Sequence, residues 1–134
     1  MEWHLDFLPV AEIETLLEGC DVIVLPYDES DDSASGAVRT ALATMVPLVA
    51  TRVKIFSELE GAVAWADNND PDELAKVIAP LLESPEKRRA IQAGMHDWLM
   101  AHDWQHIARN LENMLYGLVR QKRLDWNHPR NRFD

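Results

Sequence analysis

Cysteine is almost absent, with Cys20 the single example in 134 residues. One thiol cannot close an internal disulfide, which fits a reducing compartment and leads to the expectation of a cytoplasmic protein. With Leu16, Leu17 and Val22 around it, Cys20 is expected to be a packed, inert thiol rather than a nucleophile. Long apolar runs are lacking as well, and none approaches the ~18 residues of a membrane-spanning helix. The opening stretch, Met1 to Phe7, has neither the basic start nor the apolar run of a secretion signal. Positive charge is scarce: 13 Lys and Arg stand against 23 Asp and Glu, for a formal charge of −10. That balance argues against a nucleic-acid partner, which calls for a basic surface. What is present is ordinary for a globular chain, with 47% hydrophobic and 27% charged residues, so a core can form.

The order of apolar patterns carries more information than their amount. Ile13, Leu16, Leu17 and Cys20 fall at i, i+3, i+4 and i+7, so a short amphipathic helix is expected over about 10–19, stopped by Gly19. Asp21 to Pro26 is a short, continuous apolar run rich in β-branched residues, as in a strand buried on both faces. A polar loop follows. Val38, Ala41, Leu42 and Met45 then repeat the helical spacing, with Ser33 or Ser35 as N-cap. Pro47 to Thr51 reads as a second buried strand and Ala62 to Ala66 as a third. Asp70, Pro71 and Glu73 specify a helix start, and Leu74, Val77, Ile78, Leu81 and Leu82 form its apolar stripe. Pro80 is expected to kink its last turn. A helix from Ser84 presents Ile91, Met95, Trp98 and Leu99. Another, capped by Asp103, presents Ile107, Leu111, Met114, Leu115 and Leu118. The spacing fades after Lys122, so 1–122 is read as one partial domain and 123–134 as a mobile tail. Arg120, Lys122, Arg123, Arg130 and Arg132 make the end locally basic, and a solvated tail is preferred there over contact with an anionic membrane.

Strands alternating with helices predict an α/β fold, part of a Rossmann-like, doubly wound parallel sheet followed by C-terminal helices. So small a parallel sheet leaves open edges, which calls for missing strands, a partner chain or a homodimer to cover them. Ligands of such sheets sit beyond the carboxyl ends of the strands, where loops enter helix N-termini. Here that place falls between Tyr27 and the small-residue run Ser33, Ala34, Ser35, Gly36 and Ala37. Small side chains let a ligand approach the backbone, and free N–H groups with the helix dipole favour a phosphate. Plain capping is the other reading of the same residues. Arg39 likewise has two readings, a phosphate contact or a surface ion pair. Asp28, Glu29, Asp31 and Asp32 lack the spacing of a calcium loop, and His102 with His106 lacks a third ligand, so neither a metal nor a cofactor is expected.

In their order these segments resemble the donor half of the family 4 retaining glycosyltransferases of GT-B type. Cys20 to Tyr27 is similar to that family's "A-D-V-x-V-x-P-S" strand, and Pro47 to Thr51 to its "P-V-V-A-T/S". Ile55 to Leu59 matches a "P-E-L" segment, Asn69 to Ala75 with Leu81 to Glu86 a "D-P-E-A-L-A … L-L-x-D-P-E" stretch, and His102 to Ala108 with Tyr116 a "W-x-x-I-A … Y" helix. The resemblance runs from Leu5 to Leu118. It implies a C-terminal domain that binds a nucleotide-diphosphate sugar for transfer to a glycan or glycolipid, incomplete without an N-terminal acceptor domain. A non-catalytic, degenerate interaction module is the alternative. The family's two glutamates, seven residues apart across the donor loop, align with Asp32 and Thr40, so one carboxylate is shortened and the other replaced. Its helix-ending glycine aligns with Met45. Together with the physics of the helix N-terminus, the resemblance leads to an expected donor site of Asp32, Ser33, Ser35, Gly36, Ala37, Arg39, Thr40 and Glu58.

Overall fold

The computed structural model describes residues 3–29 and 35–126, for 123–126 the backbone only. Asp32 and Ser33 therefore lie outside the described residues. The described chain runs α1 (Val10–Glu18), β1 (Ile23–Leu25), α2 (Gly36–Ala43), β2 (Leu48–Thr51), a 3-10 helix (Lys54–Leu59), β3 (Ala64–Ala66), α3 (Pro71–Glu83), α4 (Pro85–Ala101) and α5 (Trp104–Trp126). It separates into two compact units, Met1–Leu99 and Met100–Asp134.

In the first unit three strands pair in parallel in the order β1-β2-β3. The chain thus has the expected α/β architecture, a small parallel sheet of partial Rossmann-like form. Ile23 faces Leu48 and Leu25 faces Ala50 across one ladder; Val49 faces Ala64 and Thr51 faces Ala66 across the other. The central strand is buried at all four positions. Its side chains alternate, as strand geometry requires. Leu48 and Ala50 enter a cluster with Val38 and Leu42 of α2, Phe56 and Leu59 of the 3-10 helix, and Met95 and Trp98 of α4. Val49 joins Ala66 and Leu81 of α3 in a second cluster. Burial of β1 is less than its sequence suggests: Ile23 is buried, but Val24 and Leu25 are only half-buried. Helices laid over the central strand cover its neighbours incompletely.

Two further expectations are corrected. Cys20 is exposed, not packed. The helix ends at Glu18 with Gly19 as C-cap, so Cys20 no longer projects along the helical face, and its Sγ donates to the Leu16 carbonyl at 3.4 Å. Leu82 is also exposed, because eight residues after Leu74 it falls at the margin of the α3 stripe, where only Leu81 is fully buried.

The helix ends follow local chemistry. Asp70 caps α3, its carboxylate accepting from the N–H groups of Asp72 and Glu73 at 2.9 and 3.3 Å, with Pro71 at the first helical position. At the start of α4 the Glu86 carboxyl is held below the usual carboxylate range by a backbone N–H and by the Ser84 hydroxyl at 3.0 Å. The end of α2 departs from custom. Beyond its C-cap Thr44, Met45 takes φ of 59°, the left-handed conformation usually given to glycine. Gly94 of α4 crosses so close to Gly61 that a Cβ there would lie 1.8 Å from the Gly61 carbonyl oxygen.

In the second unit, α5 carries its apolar stripe in the open. Ile107, Leu111, Met114, Leu115 and Leu118 are each exposed, between 42% and 64%. The helix continues past Lys122 to Trp126, and the remainder of the expected tail, 127–134, lies outside the described residues. No helix among the described residues is long and apolar enough to cross a membrane.

Candidate functional site

The carboxyl ends of β1 and β2 meet the N-terminus of α2. Thr51, buried at the end of β2, donates its hydroxyl to the Tyr27 carbonyl at 2.6 Å and so fixes the exit of β1. The Tyr27 ring packs on Phe56 with centroids 4.9 Å apart, and its hydroxyl lies 3.4 Å from the Ser35 Oγ. Ser35 is buried and extended, and its Oγ accepts from the Val38 N–H at 3.4 Å. Of the two cap candidates, Ser35 is thus the one seen in place. Capping occupies one acceptor site of the hydroxyl, and the contact to Tyr27 engages it a second time, with either oxygen as donor.

After that cap, Gly36 and Ala37 are exposed. Among the described residues, a Cβ on Gly36 would meet nothing within 4 Å, so none of them crowds the Cα of the first residue of α2. The first turn carries no acidic residue. Its partial positive charge is therefore not neutralised from within the helix, which is the electrostatic condition for holding an anion.

One turn further on, Arg39 and Glu58 come together. Arg39 Nη2 donates to Glu58 Oε1 at 2.7 Å, with both side chains about half exposed, at 50% and 47%. Of the two readings of Arg39, the ion pair is the one present. Its guanidinium also stands over the Trp98 ring, 5.5 Å from the centroid. Trp98 Nε1 donates to the Glu58 carbonyl at 2.8 Å. Thr40 turns its hydroxyl back to the Gly36 carbonyl at 3.3 Å. That back-bond satisfies Thr40 within its own helix.

The acidic loop is partly consumed by structure. Asp28 accepts from the Asn69 side-chain amide at 2.8 Å, and Glu29 accepts from the Lys54 N–H at 3.3 and 3.4 Å. No group of three or more His, Cys, Asp or Glu suited to a metal ion stands together among the described residues.

The structure thus gathers Ser35, Gly36, Ala37, Arg39, Thr40 and Glu58 around one helix N-terminus. Sequence reasoning placed Tyr27 beside the site without its contacts and missed Thr51 and Trp98; the three hold that arrangement. Tyr27 had a signal in its place directly after a strand. Trp98 had none beyond an apolar helix face, because its indole N–H bonds to a segment far away in the chain.

Comparison with the curated proteins returns no match. The sequence model of one family, described as glycosyl transferases group 1, matches residues 4–84, a span that takes in the whole sheet, α2 and the Arg39–Glu58 pair. Covering more than half of the chain, that match shows that this protein belongs to the group 1 glycosyl transferases.

Proposed function

We propose that the N-terminus of α2 binds the diphosphate of a nucleotide sugar, and that this chain supplies the donor-binding part of a transferase acting on a glycan or glycolipid. The observation that carries this reading is the helix N-terminus at Gly36, with no acid in its first turn and, among the described residues, nothing within 4 Å of where a Cβ would stand. Backbone N–H groups there are charge-assisted donors to a phosphate. Ser35 places a hydroxyl at the same helix start, and Arg39 adds a full positive charge one turn away. Asp32 and Ser33 join the site by alignment with the family 4 donor loop, Asp32 toward the sugar hydroxyls and Thr40 toward the ribose. The acceptor side of the cleft, and the cationic clamp on the leaving diphosphate, would come from an N-terminal domain or a partner chain, without which the main electrostatic contribution to transfer is absent.

Titration of the full chain with UDP and GDP, followed by amide NMR, tests this. The Gly36 and Ala37 amides are expected to shift with saturation in the millimolar range or below. Unchanged spectra at several millimolar nucleotide, in protein shown to be folded, sink the reading. A Gly36→Val variant sharpens it. The new Cβ meets nothing within 4 Å among the described residues, so the fold should hold, while nucleotide affinity falls about tenfold through loss of close backbone approach.

A second reading has its own observation. The outer edges of β1 and β3 are unpaired among the described residues, and Thr40 and Met45 replace residues typical of the donor helix. A degenerate module that pairs with another chain through the β1 edge fits those features. A stable dimer that protects the Val22 to Leu25 amides from exchange, without nucleotide binding, favours it.

A further inference from the structure

We propose that Glu58 is the resting counter-ion of Arg39, a placeholder that the diphosphate displaces rather than a contact to the donor. This rests on the donor-site reading above. Three observations carry it. The Arg39–Glu58 pair is short, at 2.7 Å, yet half exposed on both sides, so it is solvated and weakly held. An exposed monovalent carboxylate is a poor competitor for a guanidinium against a diphosphate, which brings more charge and a geometry suited to bidentate bonding. Finally, Arg39 does not depend on Glu58 for its position, because its guanidinium also rests on the Trp98 ring.

Trp98 is the positioning residue of this device. Its ring face supports Arg39, and its Nε1–H holds the Glu58 backbone carbonyl at 2.8 Å. The backbone of Glu58 is thereby fixed while its side chain is free to swing away. In the resting state the pair keeps the positive charge beside α2 masked from weaker anions. In the bound state Arg39 turns to phosphate and Glu58 returns to solvent.

The test is a double-mutant cycle on the full chain, with inorganic pyrophosphate and UDP as separate titrants, read by calorimetry. Glu58→Gln removes the competing charge and keeps the backbone carbonyl that Trp98 grips. It is expected to tighten both ligands about two- to fivefold, the strength of an exposed ion pair. Arg39→Gln is expected to weaken both by about tenfold. In the double variant the gain from Glu58→Gln should vanish, since no cation is left to unmask. Weaker binding by Glu58→Gln overturns the proposal and makes Glu58 a donor ligand. A gain that persists in the Arg39→Gln background overturns it too, as a general effect of the chain's negative charge. If the wild type binds UDP with no dependence on Arg39, the inference falls and the donor site stands. If no variant binds either ligand, the donor site falls and the inference with it.

Discussion

Gly94→Ala inverts an ordinary rule of helix stability in this protein. In the interior of a free helix, alanine in place of glycine gains roughly 1 kcal/mol. Gly94 lies within α4, where an added Cβ would stand 1.8 Å from the Gly61 carbonyl oxygen, 2.9 Å from its carbon and 3.6 Å from the Ala62 Cα. Ordinary contact needs well over 3 Å, so the helix and the Gly61 turn must separate by more than 1 Å. Backbone atoms obstruct here rather than the end of a flexible side chain, so a rotamer change gives no escape. Overpacking of a core costs about 1–3 kcal/mol and sometimes more. The upper part of that range applies, because the neighbouring Met95 and Ala62 are fully buried and have no room to retreat. After the helix gain is subtracted, a net loss of about 2 kcal/mol is expected. With a urea slope of about 1–3 kcal/mol per molar, the unfolding midpoint should fall by about 1 M. Circular dichroism in urea measures it. Gly117→Ala in α5 is the control: nothing lies within 4 Å of the new Cβ, so that variant should be unchanged or slightly stabilised. A Gly94→Ala midpoint equal to or above that of the wild type refutes the close crossing of α4 on Gly61.

Met45 offers a sharper sign test. Its φ of 59° costs an L-residue about 1–2 kcal/mol, so Met45→Gly should be more stable than Met45→Ala by about 1 kcal/mol, although both lose the same packing. Thermal melts of the two variants decide it, and alanine as the better residue rules out the left-handed helix end. Asp70→Ala removes the carboxylate that caps α3 and should lower stability by about 1 kcal/mol in urea titration, while Asp70→Asn should restore most of it.

The fold was legible where one pattern served one purpose. Short continuous apolar runs pointed to β1 and β2, and the Asp70, Pro71 and Glu73 signature to the start of α3. Helical periodicity found α2 and its buried Val38, Ala41 and Leu42. It failed where the helix it assumed had already ended, which is why Cys20 looked buried and is exposed. The 3-10 helix over Lys54–Leu59 gave no periodic signal, since six residues are too few to repeat. At the site, residue types and spacing named the members near the α2 N-terminus but not their connections. The Arg39–Glu58 contact joins positions 19 apart, and Trp98 to Glu58 joins positions 40 apart. Such pairings depend on how helices settle on a sheet, which no local pattern encodes.

The attachment of α4 has a consequence for motion. Gln92 donates to the Met45 carbonyl at 3.0 Å, Gly94 touches the Gly61 turn and Trp98 holds Glu58, so one helix grips three separate segments behind the sheet. None of these contacts takes part in the β-ladder. A transient lifting of α4 would therefore dissolve the support of Arg39 and Glu58 while the strands stay paired. Amide exchange in the 3-10 helix and at the end of α2 should then track α4, at a lower opening energy than the Leu48–Thr51 amides. Ligand affinity at this site would in that case be set partly by how often a helix on the far side of the contact lets go.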